Sequence, residues 1–480
     1  MNNIGVIGGG TSGLICAIIL KKYLNCNIDV IYSDSLGTIG VGEGSTEHFA
    51  RFMQFAGITH DEIIKECNAT LKTGLLFKDW SYRDYFHCIT EPFNDRIGSY
   101  PYVLSNIIAN NETYYHPSHY LENKLPKFWL NSPNPPVFQY HFDSLKLIDF
   151  LSKFAKRQNI NLIEDKIIDV QTDENGISGL IGEKQKYSYD FYIDASGFKR
   201  ILISKLGSKW RSYSDYLKMN SAFVFQTPDE ENYNMWSLSQ AMSHGWMFRT
   251  PVWGRYGNGY IFNDAYTNID SAIREVEDFF GYSIKVGKEF KFDPGCLEKA
   301  WIKNCCAIGL SSSFVEPIEA TAIGSTIQQS FVLMQKVINY NESIIESYNK
   351  YYDHMMENIK EFVFIHYLNK KDSTQFWKDI QNIQPPSSLS EKLDRWKHKL
   401  PMSEDFGGLS GYMLFHEINF IQVLNGINFF DRESIKNEFS YINKNFQDNA
   451  SYLVNSYKNF EESQEFITHK EYLSTIRNYK

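Results

Sequence analysis

The hydrophobic pattern changes period twice within the first thirty residues. Ile4-Gly-Val-Ile7 is a short apolar run, Leu14 to Leu20 is apolar at every position, and Ile28 to Ile31 is a second short run. Short apolar runs bounded by turn residues predict strands, and the longer segment closing on Lys21-Lys22 predicts a helix. The expected order is strand Ile4 to Ile7, helix from about Thr11 to Tyr23, and strand Ile28 to Ile31. That is a βαβ crossover, which implies an α/β chain with a parallel sheet. YDFYIDASGFKR, Tyr189 to Arg200, reads as another apolar strand ending in Asp194-Ala-Ser-Gly. From about Gln329 the period lengthens to that of helices, as in FVLMQKVINYNESIIESYNKYYDHM, and PPSS from Pro385 reads as an interhelical turn. No internal repeat or low-complexity linker intervenes. Nominal modules are therefore 1–335 and a mainly helical 336–480, with the tail from Arg432 expected to be helical and solvated.

The turn between the first strand and the first helix carries the first candidate chemistry. Gly8, Gly10 and Gly13 fit G-x-G-x-x-G, with Gly9 and Ser12 in the same turn. Between a strand and a helix, missing Cβ atoms let the backbone approach a pyrophosphate at the helix N-terminus. An acidic residue normally ends the second strand and accepts from a ribose; here Tyr32 stands there, with Ser33 or Asp34 as substitute acceptors. A second glycine cluster, TIGVGEGS from Thr38 to Ser45, contains Gly42 and Glu43 and follows closely enough to lie along the same ligand. The motif does not separate NAD from FAD.

Charge and composition narrow the partners. A net charge of −9 excludes the broad basic face that nucleic acid requires. The chain shows no run of 18 apolar residues and no basic leader, so a soluble cytoplasmic protein without a membrane partner is expected. Seven cysteines in no CxxC or finger-like spacing fit a reduced compartment; adjacent Cys305 and Cys306 lie in an apolar run that suits buried thiols, and no metal is assigned.

Beyond this point the chain closely resembles the flavin-dependent tryptophan halogenases. GGGTSG, IGVGEGS, LKTGLLF with DW behind it, YHFD, IDASG, GWMFRTPVWGRYGNGYIF, AIGLSSSFVEPIEATAIG and EFVFIHYLNKKDSTQFW occur in family order from the first strand to about residue 380. The resemblance implies an FAD-binding, Rossmann-like module of the glutathione-reductase type carrying a helical substrate module. It places Ser33, Leu36, Gly42, Glu43, Ile167, Asp194, Leu310 and Ile323 about the flavin, together with the glycine turn. GWMFRTP occupies the family's W-x-W-x-I-P position, with Phe248 for the second tryptophan, and implies that Trp246, Phe248 and Pro251 separate substrate from flavin. On an extended segment, Trp246 and Phe248 fall on one face.

The same resemblance implies the reaction. Reduced FAD, supplied by a separate flavin reductase, would with dioxygen and halide give hypohalous acid, which passes to Lys72 while Glu319 polarises it and takes the ring proton. EPIEATAIG reads as a helix start with Pro317 in the first position, giving unpaired N–H groups at Ala320, Thr321 and Ala322. The resemblance assigns halide to Thr321 and Ala322, although Ala320 and Ala322 replace the family's Ser and Gly. Alternation over LKTGLLFK would place Lys72, Gly74, Leu76 and Lys78 on one face, which leaves Lys78 as a rival for the amine. The family's box for free tryptophan is largely missing from Phe406 to Phe430, so another small electron-rich arene, indole- or phenol-like, is expected. An aromatic hydroxylase and a catalytically idle flavin-binding protein remain alternatives, and a homodimer is admissible.

Overall fold

The first strand, Asn3–Ile7, is buried at every residue after Asn3, as a strand covered on both faces must be. The structure is a computed structural model that describes all residues except 34–41, 90–98, 110–117, 133–137, 408–412 and 479–480. The first strand pairs in parallel with Asn27–Tyr32 and with Phe191–Asp194. These belong to a six-stranded sheet ordered Trp301–Ile302, Cys305–Ala307, Phe191–Asp194, Asn3–Ile7, Asn27–Tyr32, Asn161–Glu164. Only the pairing between Trp301–Ile302 and Cys305–Ala307 is antiparallel. The helix Thr11–Tyr23 crosses between the first two parallel strands, buried from Gly13 to Leu20, and packs against helices Ser144–Arg157 and Thr321–Lys336. The sequence-derived βαβ unit thus forms with its boundaries shifted by a residue or so, inside an α/β fold with a Rossmann-like sheet.

Two further sheets carry the other side of the molecule. A seven-stranded sheet runs Val286–Lys291, Ser221–Pro228, Arg255–Phe262, Gly245–Val252, Trp236–Met242, Gly74–Lys78, Tyr85–Cys88. All its pairings are antiparallel except that of Trp236–Met242 with Gly74–Lys78. A small sheet places Gln139–Asp143 between Gly42–Gly44 and Thr70–Lys72. LKTGLLFK is therefore two strands and not one: the chain changes sheets at Thr73, whose N–H and hydroxyl both bond Met235 O. The expected common face is lost, and Lys78 is exposed whereas Lys72 is fully buried.

The C-terminal part is mainly helical, but its first long pattern is divided. Helix Thr321–Lys336 ends, and Glu342–Ile365 begins after Asn341, whose side chain accepts from Ile344 N. The tail is less solvated than its composition suggests. Phe466–Thr468 pairs with Lys124–Pro126, buried His469 accepts the Leu71 N–H at 3.0 Å through Nε2, and Arg477 donates to Ile64 O at 2.5 Å. The end of the chain therefore braces the strand that carries Lys72.

The glycines of the first turn differ in what they are for. A Cβ on Gly13 would lie 1.9 Å from Gly8 O, so Gly13 allows helix and strand to meet; a Cβ on Gly10 would meet nothing within 4 Å. Gly13→Ala is expected to lower unfolding stability by about 3 kcal/mol, because a backbone carbonyl must move. Gly10→Ala should unfold like the parent in urea, and equal losses in both variants would refute this division of roles.

Candidate active site

A cavity of about 1010 Å³ starts at the glycine turn and ends against Lys72, Trp246 and Phe248. Its first part is built by backbone. Gly8 adopts φ +126°, which an L side chain rarely tolerates, and a Cβ there would also lie 2.1 Å from Ala195 O. Gly10 begins the helix without a side-chain cap, and the first helical turn holds no acidic residue. Unpaired N–H groups at this helix start therefore face open space, which suits an anionic phosphate group. Farther along, Tyr32, Ser33 and Ile167 line one stretch, Gly42 and Glu43 another, and Leu310 and Ile323 a third. Burial pushes the Glu43 carboxyl above its ordinary range, against a hydrogen bond from Ser144. A backbone cradle opening into a long, largely apolar cavity fits a dinucleotide carrying a flat ring system.

The far end of the cavity is aromatic because of strand alternation. On Gly245–Val252, Trp246 and Phe248 both face the cavity, with ring centroids 6.3 Å apart and planes tilted by 54°. Gly259 opposite Phe248 makes room for that ring, since a Cβ there would lie 2.4 Å from Phe248 Cε1. The Trp246 indole N–H donates to Glu316 Oε2 at 2.7 Å, and Tyr367 O–H donates to the same oxygen at 2.5 Å. Burial pushes the Glu316 carboxyl up to about 7, opposed by those two hydrogen bonds. Pro251 lies behind this surface, where its carbonyl accepts from Thr70 Oγ1 at 2.7 Å.

Lys72 reaches the cavity from the small sheet. Its Nζ donates to Ser45 O at 3.0 Å, crossing Gly44, where a Cβ would lie 2.9 Å from that nitrogen. The side chain is fully buried, and desolvation lowers the amine to about 8, with nearby Glu319 raising it part of the way back. Gln139 opposes Lys72 across the sheet, and His141 opposes both Gly44 and Thr70. His141 is fully buried, and desolvation, then the Lys72 charge, depress it far below an ordinary imidazole.

Glu319 is 1 % exposed and is gripped by two histidines distant in sequence. His87 Nδ1 lies 2.9 and 2.8 Å from its two oxygens, and His366 Nε2 lies 3.0 Å from Oε1. The hydrogen-bond network assigns the protons. Asn419 Oδ1 accepts from His416 N, which turns its amide nitrogen toward His87 Nε2 at 3.1 Å; Nε2 then accepts, and Nδ1 donates to Glu319. His366 Nδ1 donates to Phe362 O at 2.9 Å, so the proton in the His366–Glu319 contact sits between Nε2 and the carboxylate. Burial alone would raise Glu319, but His87 and His366 outweigh it and hold the carboxyl down to about 2.

Helix Thr321–Lys336 begins beside this carboxylate, four residues later than the expected start at Pro317. Pro317 to Ala320 instead form a turn closed by Ala320 N to Pro317 O at 3.1 Å. Ala320 ends that turn in the left-handed region at φ +54°, ψ +39°, without a side-chain cap. The unpaired N–H groups of the first turn consequently belong to Thr321, Ala322 and Ile323. Ala322 and Ile323 line the main cavity, whereas Thr321 faces a small void of about 10 Å³ shared with Ala322.

The structure thus brings Gly8, Gly9, Gly10, Ser12, Ser33, Gly42, Glu43, Ile167, Leu310 and Ile323 to one cavity. Gly13 and Asp194 stand behind it. Asp194 is fully buried and ties the following turn, accepting from Ser196, Leu202, Ile203 and Ser311. Leu36 lies outside the described residues. Sequence reasoning missed His87, His366, Glu316 and Tyr367. The last three sit inside motifs that it quoted, but nothing local identifies the partner of any of them.

Residues 3–437 match the model of the tryptophan halogenase family. The chain is 28% identical over 453 residues to tryptophan 6-halogenase SttH of Streptomyces toxytricini, covering 84% of this chain and 85% of that protein. With tryptophan 7-halogenase RebH of Lentzea aerocolonigenes it shares 26% over 447 residues, covering 84% of each. The crystal structure of a tryptophan halogenase from Shewanella frigidimarina superposes with a TM-score of 0.91 at 23% identity, over 100% of this chain and 98% of that one. With the family match running through the glycine turn, the aromatic wall and the Glu319 turn, this chain belongs to the tryptophan halogenase family of flavin-dependent halogenases.

Proposed function

We propose that this protein halogenates an electron-rich arene other than free tryptophan, with Lys72 delivering the electrophile and Glu319 taking the ring proton. The observation that carries this reading is a buried amine at the inner end of the cavity, electrostatically coupled to a carboxylate that two histidines keep ionised. Reduced FAD, supplied by a separate reductase, would when bound give dioxygen the two electrons that convert it into the oxidant of halide, so that halide leaves as hypohalous acid and the flavin is left oxidised.

The chain's own residues account for the remaining steps. The backbone of the first turn would hold the pyrophosphate, through Gly8, Gly9, Gly10 and Ser12. The first N–H groups of helix Thr321–Lys336, Thr321 and Ala322 among them, offer the halide an electropositive seat. Trp246 and Phe248 exclude the arene from the flavin end, which keeps oxygen transfer from competing. Lys72 acts as an N–H donor to hypohalous acid or, when neutral, takes the halogen as a haloamine; both roles need the amine buried beside the cavity. Glu319 accepts the proton released from the ring, and His87 and His366 hold it at a fixed orientation for that task. The halide turn is shaped by Ala320 in a conformation usually left to glycine, which costs about 1 kcal/mol and holds the Thr321 and Ala322 N–H groups in place.

The reading that free tryptophan is not the substrate is supported by the segment from Phe406 to Phe430, which keeps little of the family's box for it. Phe415 stacks on Phe362 at 3.9 Å, and Asn358 holds the Phe415 backbone through both N–H and C=O. Asn419 is committed to His87. Phe415 and Asn419 lie in that segment, and Asn358 and Phe362 meet Phe415 from helix Glu342–Ile365.

Assays with reduced FAD, oxygen and an indole and phenol panel, across chloride, bromide and iodide, should give a product heavier by one halogen, with free tryptophan unreacted. A product that gains oxygen and no halogen would overturn the reading. Lys72→Ala and Glu319→Ala should each lower kcat at least 100-fold on the order expected for a lost acid, base or donor, with flavin affinity retained. Wild-type turnover in either variant sinks the assignment of that residue.

The buried amine also predicts a stability signature. Its folded-state value of about 8 lies below the ordinary 10.5, so below pH 8 the folded protein carries an unfavourable buried charge. At roughly 1.4 kcal/mol per unit this is about 3 kcal/mol, and it shrinks as pH rises from 8 toward 10.5. Lys72→Met should therefore be more stable than wild type in urea at pH 7, and the gap should narrow by pH 9.5. A destabilised Lys72→Met at pH 7 would contradict it.

A further inference from the structure

Glu316 and Glu319 lie three residues apart on one turn, and adjacent residues at the end of helix Glu342–Ile365 grip them: His366 holds Glu319 and Tyr367 holds Glu316. Glu319 has a proposed chemical task, whereas Glu316 has none. It is fully buried and, like Glu319, does not border the cavity. Its Oε2 takes both the Trp246 indole N–H and the Tyr367 hydroxyl, and Oε1 has no hydrogen-bond partner among the described residues. A buried carboxyl left half-satisfied is an expensive way to fill space, since an apolar side chain of similar volume avoids the desolvation. What the carboxylate gives in return is direction: an indole in an aromatic cluster can rotate among similar packings, but one whose N–H is tied at 2.7 Å cannot. The cluster around Trp246 is of that kind, with Trp80 and Phe248 each at 6.3 Å and Trp80 in turn against Tyr367 and Trp377 at 5.5 Å.

We propose that Glu316 is the positioning residue for the aromatic wall, fixing the Trp246 ring across the cavity through its indole N–H, with Tyr367 holding the carboxylate in place. Because Glu316 and Glu319 share one turn and one helix end, the wall and the proton acceptor are set by a single rigid unit. This inference rests on the halogenase reading for its catalytic consequence, but the placement of the ring is testable without turnover.

The test compares Glu316→Gln, which keeps an oxygen acceptor, with Glu316→Leu, which removes it. Glu316→Leu should lower halogenated product per reduced flavin oxidised about 10-fold, as expected for a lost buried hydrogen bond to a charged acceptor. Hydrogen peroxide should rise correspondingly, and Glu316→Gln should stay within about 3-fold of wild type. Near-UV circular dichroism supplies the independent readout. Glu316→Leu should change the tryptophan bands, Glu316→Gln should restore them, and the change should vanish when Glu316→Leu is placed in a Trp246→Phe background. Unaltered bands and unaltered coupling in a folded Glu316→Leu overturn the proposal, as does a Glu316→Gln variant as impaired as Glu316→Leu. If Glu316→Leu does not fold, Tyr367→Phe and Trp246→Phe carry the test: reduced coupling in both supports the hold, and wild-type coupling in both refutes it. Absence of any halogenated product from the wild type would defeat the halogenase reading alone, leaving the spectroscopic arm to decide the placement of Trp246.

Discussion

Ionisable groups removed from water must find partners or change their protonation, and the interior of this protein is arranged around that constraint. Lys72, Glu316, Glu319, His87 and His366 are all essentially unexposed. Each is held by a backbone or side-chain partner that comes from another part of the chain: Ser45 for Lys72, His87 and His366 for Glu319, Trp246 and Tyr367 for Glu316. The opposite outcomes for the two acids show the constraint at work. Burial raises both, yet the two imidazoles bring Glu319 down to about 2, while two neutral donors leave Glu316 near 7. Similar residues three positions apart are thereby set to different chemical states by what faces them.

The fold supplies those partners by converging distant segments on one turn. The six-stranded sheet and its helix make the glycine cradle, the seven-stranded sheet provides the Trp246 strand and the His87 strand, and the end of helix Glu342–Ile365 meets Glu316 and Glu319 through Tyr367 and His366. The tail adds a remote brace, since His469 accepts the Leu71 N–H one residue from Lys72. Lys72, Glu319 and Trp246 are therefore parts of one packed body, in which Tyr367 is linked to the cavity through Glu316 and Trp246.

The departures from family pattern fall where backbone geometry can absorb them. Ala320 and Ala322 stand where Ser and Gly are usual, and Ala320 is at φ +54° immediately before the long, buried helix Thr321–Lys336. Tyr32 stands where an acid is usual at the tip of the second strand and faces the cavity beside Ser33.

Much was legible in the sequence because it was local. Strand Asn3–Ile7, helix Thr11–Tyr23 and strand Asn27–Tyr32 follow from short-range periodicity, and alternation alone set Trp246 and Phe248 on one face. Other features depended on contacts that no window of residues contains. The break at Thr73, which buries Lys72 and exposes Lys78, arises because Met235 O captures the Thr73 N–H; the helix start at Thr321 is delayed by a closed turn; and the tail is ordered by His469. His87 lies 232 residues from Glu319, and Trp246 lies 70 from Glu316, so their pairing appears only when the sheets and the helical segment pack together. The sequence by itself determined which residue types were available and, within an unbroken strand or helix, which faces they occupied, since covalent spacing and local periodicity do not depend on the rest of the chain. Only the tertiary structure decided which buried donor met which buried acceptor, because that choice is made by desolvation and packing among segments far apart in sequence.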